Sequence, residues 1–298
     1  MRRWWLLVCL AVPAQAFGQV PIPPLSGVVR GDFPWGRWEV RVPDKRQWLA
    51  RVRFCDSCNT LVASDLAVWH VVDLDADGRP DLLRTAGSPT DGGEGTEGRA
   101  YRNTSRGMVV QTWSEARIAG LVRQVPGPGL YLVLQGAPFG MCEASDTWLA
   151  FLRPSASTDA VPFREESRVH FTDFETWPQT WLPAPIRVRV TQDQYNLRGA
   201  PLVDDTSRTE DGCESPIRGN VVATFRIGTT ALALAQQRVG ERIWYFLVTD
   251  PGASFTTTFG FQPGVRLAGW MSSRWLETIP TAPPSQPAAP PRGGTSTP

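Results

Sequence analysis

Short runs of alternating apolar and polar residues, separated by turn-forming residues, fill most of the chain between residues 37 and 152. A period of two is typical of β-strands, whereas an amphipathic helix repeats every 3.6 residues. Hardly any stretch keeps a helical period. The runs read RWEVRV, WLARVRF, LAVWHVV, DLLRT, RAYRN, MVVQTW, GLYLVLQG and TWLAFL. This pattern predicts an all-β protein.

One stretch has a spacing compatible with a helix, WSEARIAGLVRQV at residues 113–125, and Gly120 weakens that reading. The segment 154–185 is bounded by prolines and predicts a connector, or a peripheral element, between two modules. A second β-rich block follows at residues 186–279. The tail at 280–298 is rich in proline and glycine, which predicts disorder. The first β domain is expected at 27–153.

The N-terminus has the composition of a secretory signal peptide. Two arginines precede the apolar stretch from Trp4 to Val12, and Ala14-Gln15-Ala16 supplies a small-x-small cleavage site. We therefore expect residues 1–16 to be removed and the protein to be exported, to the periplasm or beyond. No later stretch is long and apolar enough to span a bilayer. We expect no stable membrane insertion after cleavage.

Charge and cysteine content narrow the function classes. The chain has 298 residues and a net charge of +1, which gives no long-range attraction to nucleic acid. An even number of cysteines in an oxidising compartment predicts disulfides, in any of three pairings. A thiol-redox Cys-x-x-C site and a zinc site are the alternatives, although the run around CDSC predicts strand, turn and strand. The four cysteines beyond the leader are Cys55, Cys58, Cys142 and Cys213.

The sequence VVDLDADGRPDLL places four carboxylates at alternating positions around Gly78. Calcium takes six to eight oxygen ligands, and a tight turn can point alternate carboxylates inward. An EF-hand would need glutamate at the twelfth loop position, where this chain has Arg84. Calcium is the predicted ion, and a solvated acidic turn is the alternative. The predicted ligands are the side chains of Asp73, Asp75, Asp77 and Asp81 and the carbonyl of Arg79.

The same loop, followed by AYRNTSRGMVVQTW, resembles an FG-GAP or VCBS repeat, the blade unit of integrin-type β-propellers. The resemblance covers about residues 66–113 and implies the ligand roles just named. A propeller needs at least four blades, and the chain has one such motif. GLVRQVPGPGLYLVLQG is a candidate second blade without ligands. We expect a partial or sandwich-like β domain that carries one blade-like loop.

Residues 186–279 resemble a bacterial Src-homology-3-type domain. The resemblance rests on the order of the segments YNLRGAP, VVATFRIGTTALAL, GERIWYFLVT and LAGWMSSRWLE. It implies a small β barrel that binds cell-wall peptides or proteins and has no catalytic residues. Two loops are longer than the family pattern, and both lie where ligand grooves are normally walled. The candidate ligand-binding residues are Tyr195, Trp244, Trp270 and Trp275.

The sequence does not favour an enzyme. His70 lies in an apolar run, His170 has no nucleophile motif beside it, and neither a Gly-x-Ser-x-Gly nor a His-Glu-x-x-His motif occurs. We expect an exported calcium-binding envelope protein that docks on peptidoglycan peptide or on an envelope protein. The alternatives are a protein-binding scaffold with purely structural calcium and a thiol-redox protein that uses Cys55 and Cys58.

Overall fold

The fold is known from a computed structural model. It describes residues 25–28, 33–51, 68–85, 98–113, 116–124, 127–136, 147–155, 161–172, 175–209, 217–257, 259 and 261–280. The predicted leader (1–16), the four cysteines and the tail from residue 281 onward lie outside these residues.

The first eight strands form two consecutive four-stranded antiparallel sheets. In each sheet the strands follow one another in chain order, β1-β2-β3-β4 and β5-β6-β7-β8. Neither sheet closes on itself within the described residues, and the prediction of an all-β fold is confirmed. The bounds are Trp69–Val72 (β1), Asp81–Arg84 (β2), Gly98–Thr104 (β3), Gly107–Trp113 (β4), Ala116–Arg123 (β5), Leu130–Gly136 (β6), Thr147–Pro154 (β7) and Phe163–Phe171 (β8).

The C-terminal region forms a third, larger antiparallel sheet. Its order is β16-β13-β10-β17-β15-β14-β9-β18, and β11 pairs with β12 separately. The bounds are Trp181–Val190 (β9), Tyr195–Arg198 (β10), Arg208–Thr209 (β11), Ile217–Arg218 (β12), Val221–Phe225 (β13), Thr230–Val239 (β14), Arg242–Thr249 (β15), Phe255–Thr256 (β16), Ala268–Ser272 (β17) and Leu276–Thr278 (β18).

The third sheet curls around a core of its own without closing. Val188 in β9 and Phe225 in β13 belong to one buried cluster, although several strands separate β9 from β13 in the sheet order. The two edge strands, β16 and β18, do not pair with each other in the described part of the chain. The closed barrel expected from the sequence is therefore an open, curved sheet here.

The second sheet is the middle layer of the molecule, because both of its faces are buried. In β6, Tyr131 and Val133 pack with Trp244 and Trp270 of the third sheet. The residues between them, such as Leu132, join a second cluster with residues of the first sheet. Successive strand side chains point to opposite faces, so one strand contributes to two cores.

The segment expected to be a connector, 154–185, is part of these sheets. It contains all of β8, which pairs with β7 from Thr147↔Phe171 to Pro154↔Phe163, and it leads into β9. Phe163 and Phe171 are both almost fully buried. Burial of such a side chain contributes about 1.5–3 kcal/mol, which favours a strand over a loose linker.

Two runs predicted as strands do not form them as expected, and one ambiguous stretch is decided. RWEVRV, at residues 37–42, contains no strand residue. The candidate helix at 113–125 contains strand β5, whose Gly120 lies so close to Phe33 that an added Cβ would come within 2.6 Å of the ring. Conversely, the run WLARVRF, predicted as a strand, begins inside a helix, α1 at Lys45–Arg51. The Asp44 carboxylate accepts a hydrogen bond from the backbone N–H of Gln47 at 2.9 Å, which caps the N-terminus of this helix.

Candidate functional sites

The carboxylate loop, defined as residues 73–81, connects β1 to β2. Ala76 and Gly78 have positive φ angles of 59° and 82°, which fold the loop into a tight turn. The carboxylate of Asp73 accepts hydrogen bonds from the backbone N–H groups of Asp77 at 3.2 Å and Gly78 at 3.0 Å. Glycine adopts positive φ at little steric penalty, so the loop holds its shape through its own backbone and one carboxylate.

Three of the four predicted carboxylates converge. One oxygen each from Asp73, Asp75 and Asp81 lies within 4.8 Å of the others. Hard oxygen donors at this spacing suit a divalent cation such as calcium, and this triad could hold a metal ion.

Asp81 also anchors the loop to the first sheet. Its side chain is buried, and its two oxygens accept hydrogen bonds from the backbone N–H groups of Leu74 at 2.9 Å and Asn103 at 2.8 Å. Burial raises the pKa of Asp81 to about 7, although these hydrogen bonds act in the opposite direction. The carboxylate therefore fixes the positions of both the loop and β3.

Asp77, the fourth predicted ligand, lies outside the triad. It pairs with Arg79, whose Nε donates to Asp77 Oδ2 at 2.9 Å. Slight burial raises the pKa of Asp77, but the hydrogen bonds from Arg79 outweigh it and lower the pKa overall. Asp77 is therefore exposed and oriented toward Arg79, and the carbonyl of Arg79 stays a predicted ligand only.

A buried arginine from β3 already brings positive charge to the triad. The guanidinium of Arg102, whose side chain is 6% exposed, donates to the Asp75 carboxylate and to the carbonyl oxygen of Ser155. The contact joins residues 27 positions apart in the sequence. Sequence reasoning missed Arg102, although it lies in the AYRNTSRGMVVQTW segment that the blade resemblance covers, because nothing in that segment marks the arginine as the partner of Asp75.

A second candidate site is a pocket of about 240 Å³ on the third sheet. It lies where β10, β15 and a 3-10 turn at Ser273–Trp275 meet. Three of the four predicted ligand-binding aromatics, Tyr195, Trp244 and Trp275, line it. Ser272 caps the 3-10 turn through its hydroxyl, which accepts from the N–H of Arg274 at 3.4 Å. The pocket therefore brings together residues that are up to 83 positions apart in the sequence, Gln192 and Trp275.

The pocket aromatics differ in exposure. Trp244 is 2% exposed and belongs to the core between the second and third sheets, whereas Trp275 is 37% exposed. The Tyr195 hydroxyl donates to the carbonyl oxygen of Ser272 at 2.8 Å, which fixes its ring across the pocket. Burial raises the pKa of Tyr195, against opposing contributions from Ser272 and three nearby arginines.

Trp270, the fourth predicted ligand-binding residue, is a core residue instead. Its side chain is fully buried, it packs against Phe246 with ring centroids 5.4 Å apart, and its indole N–H donates to the carbonyl oxygen of Thr176. It is absent from the pocket lining. A ligand could not reach this ring without opening the interface between the sheets.

The pocket lining is positively charged. It contains Arg198, Arg242 and Arg274, and the lining residues that the structure describes include no aspartate or glutamate. Arg198 is neutralised nearby, because it donates to Asp205 Oδ1 at 2.9 Å. Within the described residues, Arg242 and Arg274 pair with no carboxylate.

His70 has a packing role in the first sheet. Its ring stacks on Trp35 with centroids 4.1 Å apart, and its Nδ1 lies 2.9 Å from Glu39 Oε1. Burial lowers the pKa of His70, and the hydrogen bond to Glu39 offsets this only in part. His170 forms an isolated bridge with Leu267 that ties the second sheet to the third.

No family model, curated protein or solved structure matches this chain. The two family resemblances therefore rest on the motifs alone. In the described part of the chain, no helix has the combination of length and apolar character that crossing a bilayer would require.

Proposed function

We propose that this chain is an exported binding protein of the cell envelope whose pocket on the third sheet docks a peptide, from peptidoglycan or from a protein partner. One observation carries the proposal: Tyr195 and Trp275 line the same pocket as three arginines. Aromatic rings offer flat apolar contact at a small entropic penalty, and arginine adds hydrogen-bond donors. The leader-like residues 1–16 support export.

The proposal treats the aromatic pocket as the binding surface and not as a catalytic site. His70 is held by Glu39 and Trp35, and it belongs to the first sheet, whereas the pocket lies on the third. A disulfide framework from Cys55, Cys58, Cys142 and Cys213 remains part of this proposal. Two disulfides that resist mild reduction would argue against the thiol-redox alternative.

The docking proposal is tested by co-sedimentation of the full chain without its leader with purified peptidoglycan sacculi. We expect the protein in the pellet and at least about tenfold weaker binding for Trp275→Ala, since exposed aromatic anchors often supply 2 kcal/mol or more. Ile227→Ala is the matched control, because Ile227 is 62% exposed and does not line the pocket.

Two results of this experiment would count against the wall as the ligand. If the protein stays in the supernatant, a protein partner becomes the proposed ligand. If both variants bind equally well, the pocket is not the docking surface.

We further propose that the carboxylate loop binds calcium and that the ion has a structural role. The convergence of Asp73, Asp75 and Asp81 supports this. A bound ion would neutralise the triad and link the loop to Asp81, which already connects to β3. Three carboxylates alone do not fill six positions, so backbone oxygen and water would complete the shell.

The calcium proposal is tested by titration calorimetry on chelator-treated protein. We expect binding heat that Asp73→Asn with Asp75→Asn abolishes and that Glu241→Gln leaves intact, because Glu241 is exposed and far from the loop in sequence. Absence of heat at millimolar calcium, or equal heat in the double variant, would contradict the proposal.

A further inference from the structure

We infer that the pocket on the third sheet recognises a carboxylate, and specifically the free C-terminal carboxylate of a peptide, through Arg242 and Arg274. The inference rests on the proposed docking function and names the ligand chemistry. It follows from the distribution of charge, polarity and exposed apolar surface within one pocket.

Two of the three arginines in the pocket have no carboxylate partner among the described residues. Arg198 is held by Asp205 and by Asn220 Oδ1, both at 2.9 Å. Arg242 and Arg274 are exposed and form no ion pair with a carboxylate in the described part of the chain. The Arg274 guanidinium lies 5.3 Å from the centroid of the Trp275 ring, which holds it at the pocket edge by a cation–π contact.

The cations share one pocket. Arg198, Arg242 and Arg274 all line it together with Tyr195. A guanidinium presents parallel N–H donors that match the two oxygens of a carboxylate. Two such groups at one pocket favour a two-oxygen anion over a neutral ligand.

The remaining lining residues suit the rest of a peptide end. Gln192, Gln194 and Asn196 line the same pocket, and side-chain amides can both donate to and accept from a peptide backbone. Val203, 50% exposed, and Trp275 supply exposed apolar surface for a side chain. The volume of about 240 Å³ is slightly below the ~300 Å³ at which ligand pockets usually begin. It suits the last one or two residues of a peptide.

The test is calorimetric titration of the full chain with two probes, N-acetyl-trialanine with a free carboxylate and the same peptide with a C-terminal amide. We expect the acid to bind at least about tenfold more tightly, since a charge-assisted pair contributes roughly twice a neutral hydrogen bond. In the double variant Arg242→Gln with Arg274→Gln, the acid and the amide peptide should bind about equally well. Arg226→Gln is the control, because Arg226 is exposed and outside the lining.

Each other result overturns the inference. Equal binding of acid and amide, or no binding of the acid at millimolar concentration, shows that the carboxylate is not recognised. If inorganic phosphate displaces the acid peptide as well as the peptide displaces itself, the site is a general anion site. A preference that survives in the double variant assigns the recognition to other residues.

A second measurement separates this inference from the proposed function. Sacculus binding that is lost in Trp275→Ala but unchanged in the double arginine variant would keep the docking function and reject carboxylate recognition. Conversely, a clear preference for the acid peptide without sacculus binding would keep the carboxylate site and reject the wall as its source.

Discussion

The carboxylate loop concentrates negative charge and the pocket on the third sheet concentrates positive charge. The two sites differ in whether these charges are paired within the protein. In the loop, the buried Arg102 compensates Asp75 from within the protein. In the pocket, Arg242 and Arg274 have no carboxylate partner among the described residues. A buried charge cluster must be neutralised for the fold to be stable, whereas an exposed one can remain available to a ligand. The charge in the loop therefore supports the fold, whereas the charge in the pocket can bind a ligand.

The largest expected effect tests this distinction through two arginines. Arg102→Gln removes the buried partner of Asp75. The Asp75 carboxylate then lies unpaired beside Asp73 and Asp81. We expect about 3 kcal/mol lower free energy of unfolding, because breaking a buried ion pair strands the remaining charge. Arg242 is on the exposed wall of the pocket, so Arg242→Gln should change the free energy of unfolding by about 0.5 kcal/mol or less. Urea denaturation of both variants measures the two values.

Urea denaturation of the same two variants in the presence of calcium gives a second test. An added ion would replace the lost positive charge, so calcium should restore part of the stability of Arg102→Gln and leave Arg242→Gln unchanged. Equal stability losses in the two arginine variants would remove the distinction between the sites.

An intermediate effect concerns pH, where the first sheet carries a titrating histidine beside the loop. The pKa of folded His70 lies below 6.5 because of burial, so the unfolded chain binds more protons as pH falls through this range. The contribution of His70 to the free energy of unfolding is therefore fully present above pH 6.5. It decreases as pH falls toward the pKa of His70 in the folded protein. We expect the urea midpoint to fall more between pH 7 and 5 for the parent protein than for His70→Gln.

Other groups do not obscure this difference. The raised pKa of Asp81 acts in the opposite direction, but it does so in both proteins. The pKa of Glu39 is lowered from 4.5, because hydrogen bonds from His70 and Lys45 outweigh the effect of burial, so Glu39 stays ionised in this window. A steeper pH dependence in His70→Gln than in the parent would contradict the prediction.

The smallest expected effect is that of Asp77→Asn. This carboxylate pairs with Arg79 on the outside of the loop, and exposed ion pairs contribute about 0–1 kcal/mol. We expect a loss of about 0.5 kcal/mol or less in urea denaturation and an unchanged calcium heat in calorimetry. Loss of the calcium heat would show that Asp77 leaves Arg79 and turns toward the ion.

Much of the fold could be predicted from local patterns. The short apolar-rich runs MVVQTW and TWLAFL correspond to β4 and β7, because strand-forming residues can be recognised within a few neighbouring positions. The stretch containing β5 was ambiguous, since its apolar spacing fits a helix as well. Pairing with β6 and the close approach of Phe33 to Gly120 decide for the strand, and neither partner is visible in the local sequence.

The all-β class, the tight acidic turn around Gly78 and the set of aromatic candidates can be recognised from the sequence, because each depends on residues close together in the chain. Long-range packing, in contrast, brings Arg102 to Asp75, buries Trp270 fully while Trp275 is 37% exposed, and places Arg242 and Arg274 in one pocket. Burial and charge compensation depend on which distant segments pack together, and local sequence does not specify that. Two tryptophans five positions apart can therefore have opposite roles, one in the core and one at the pocket.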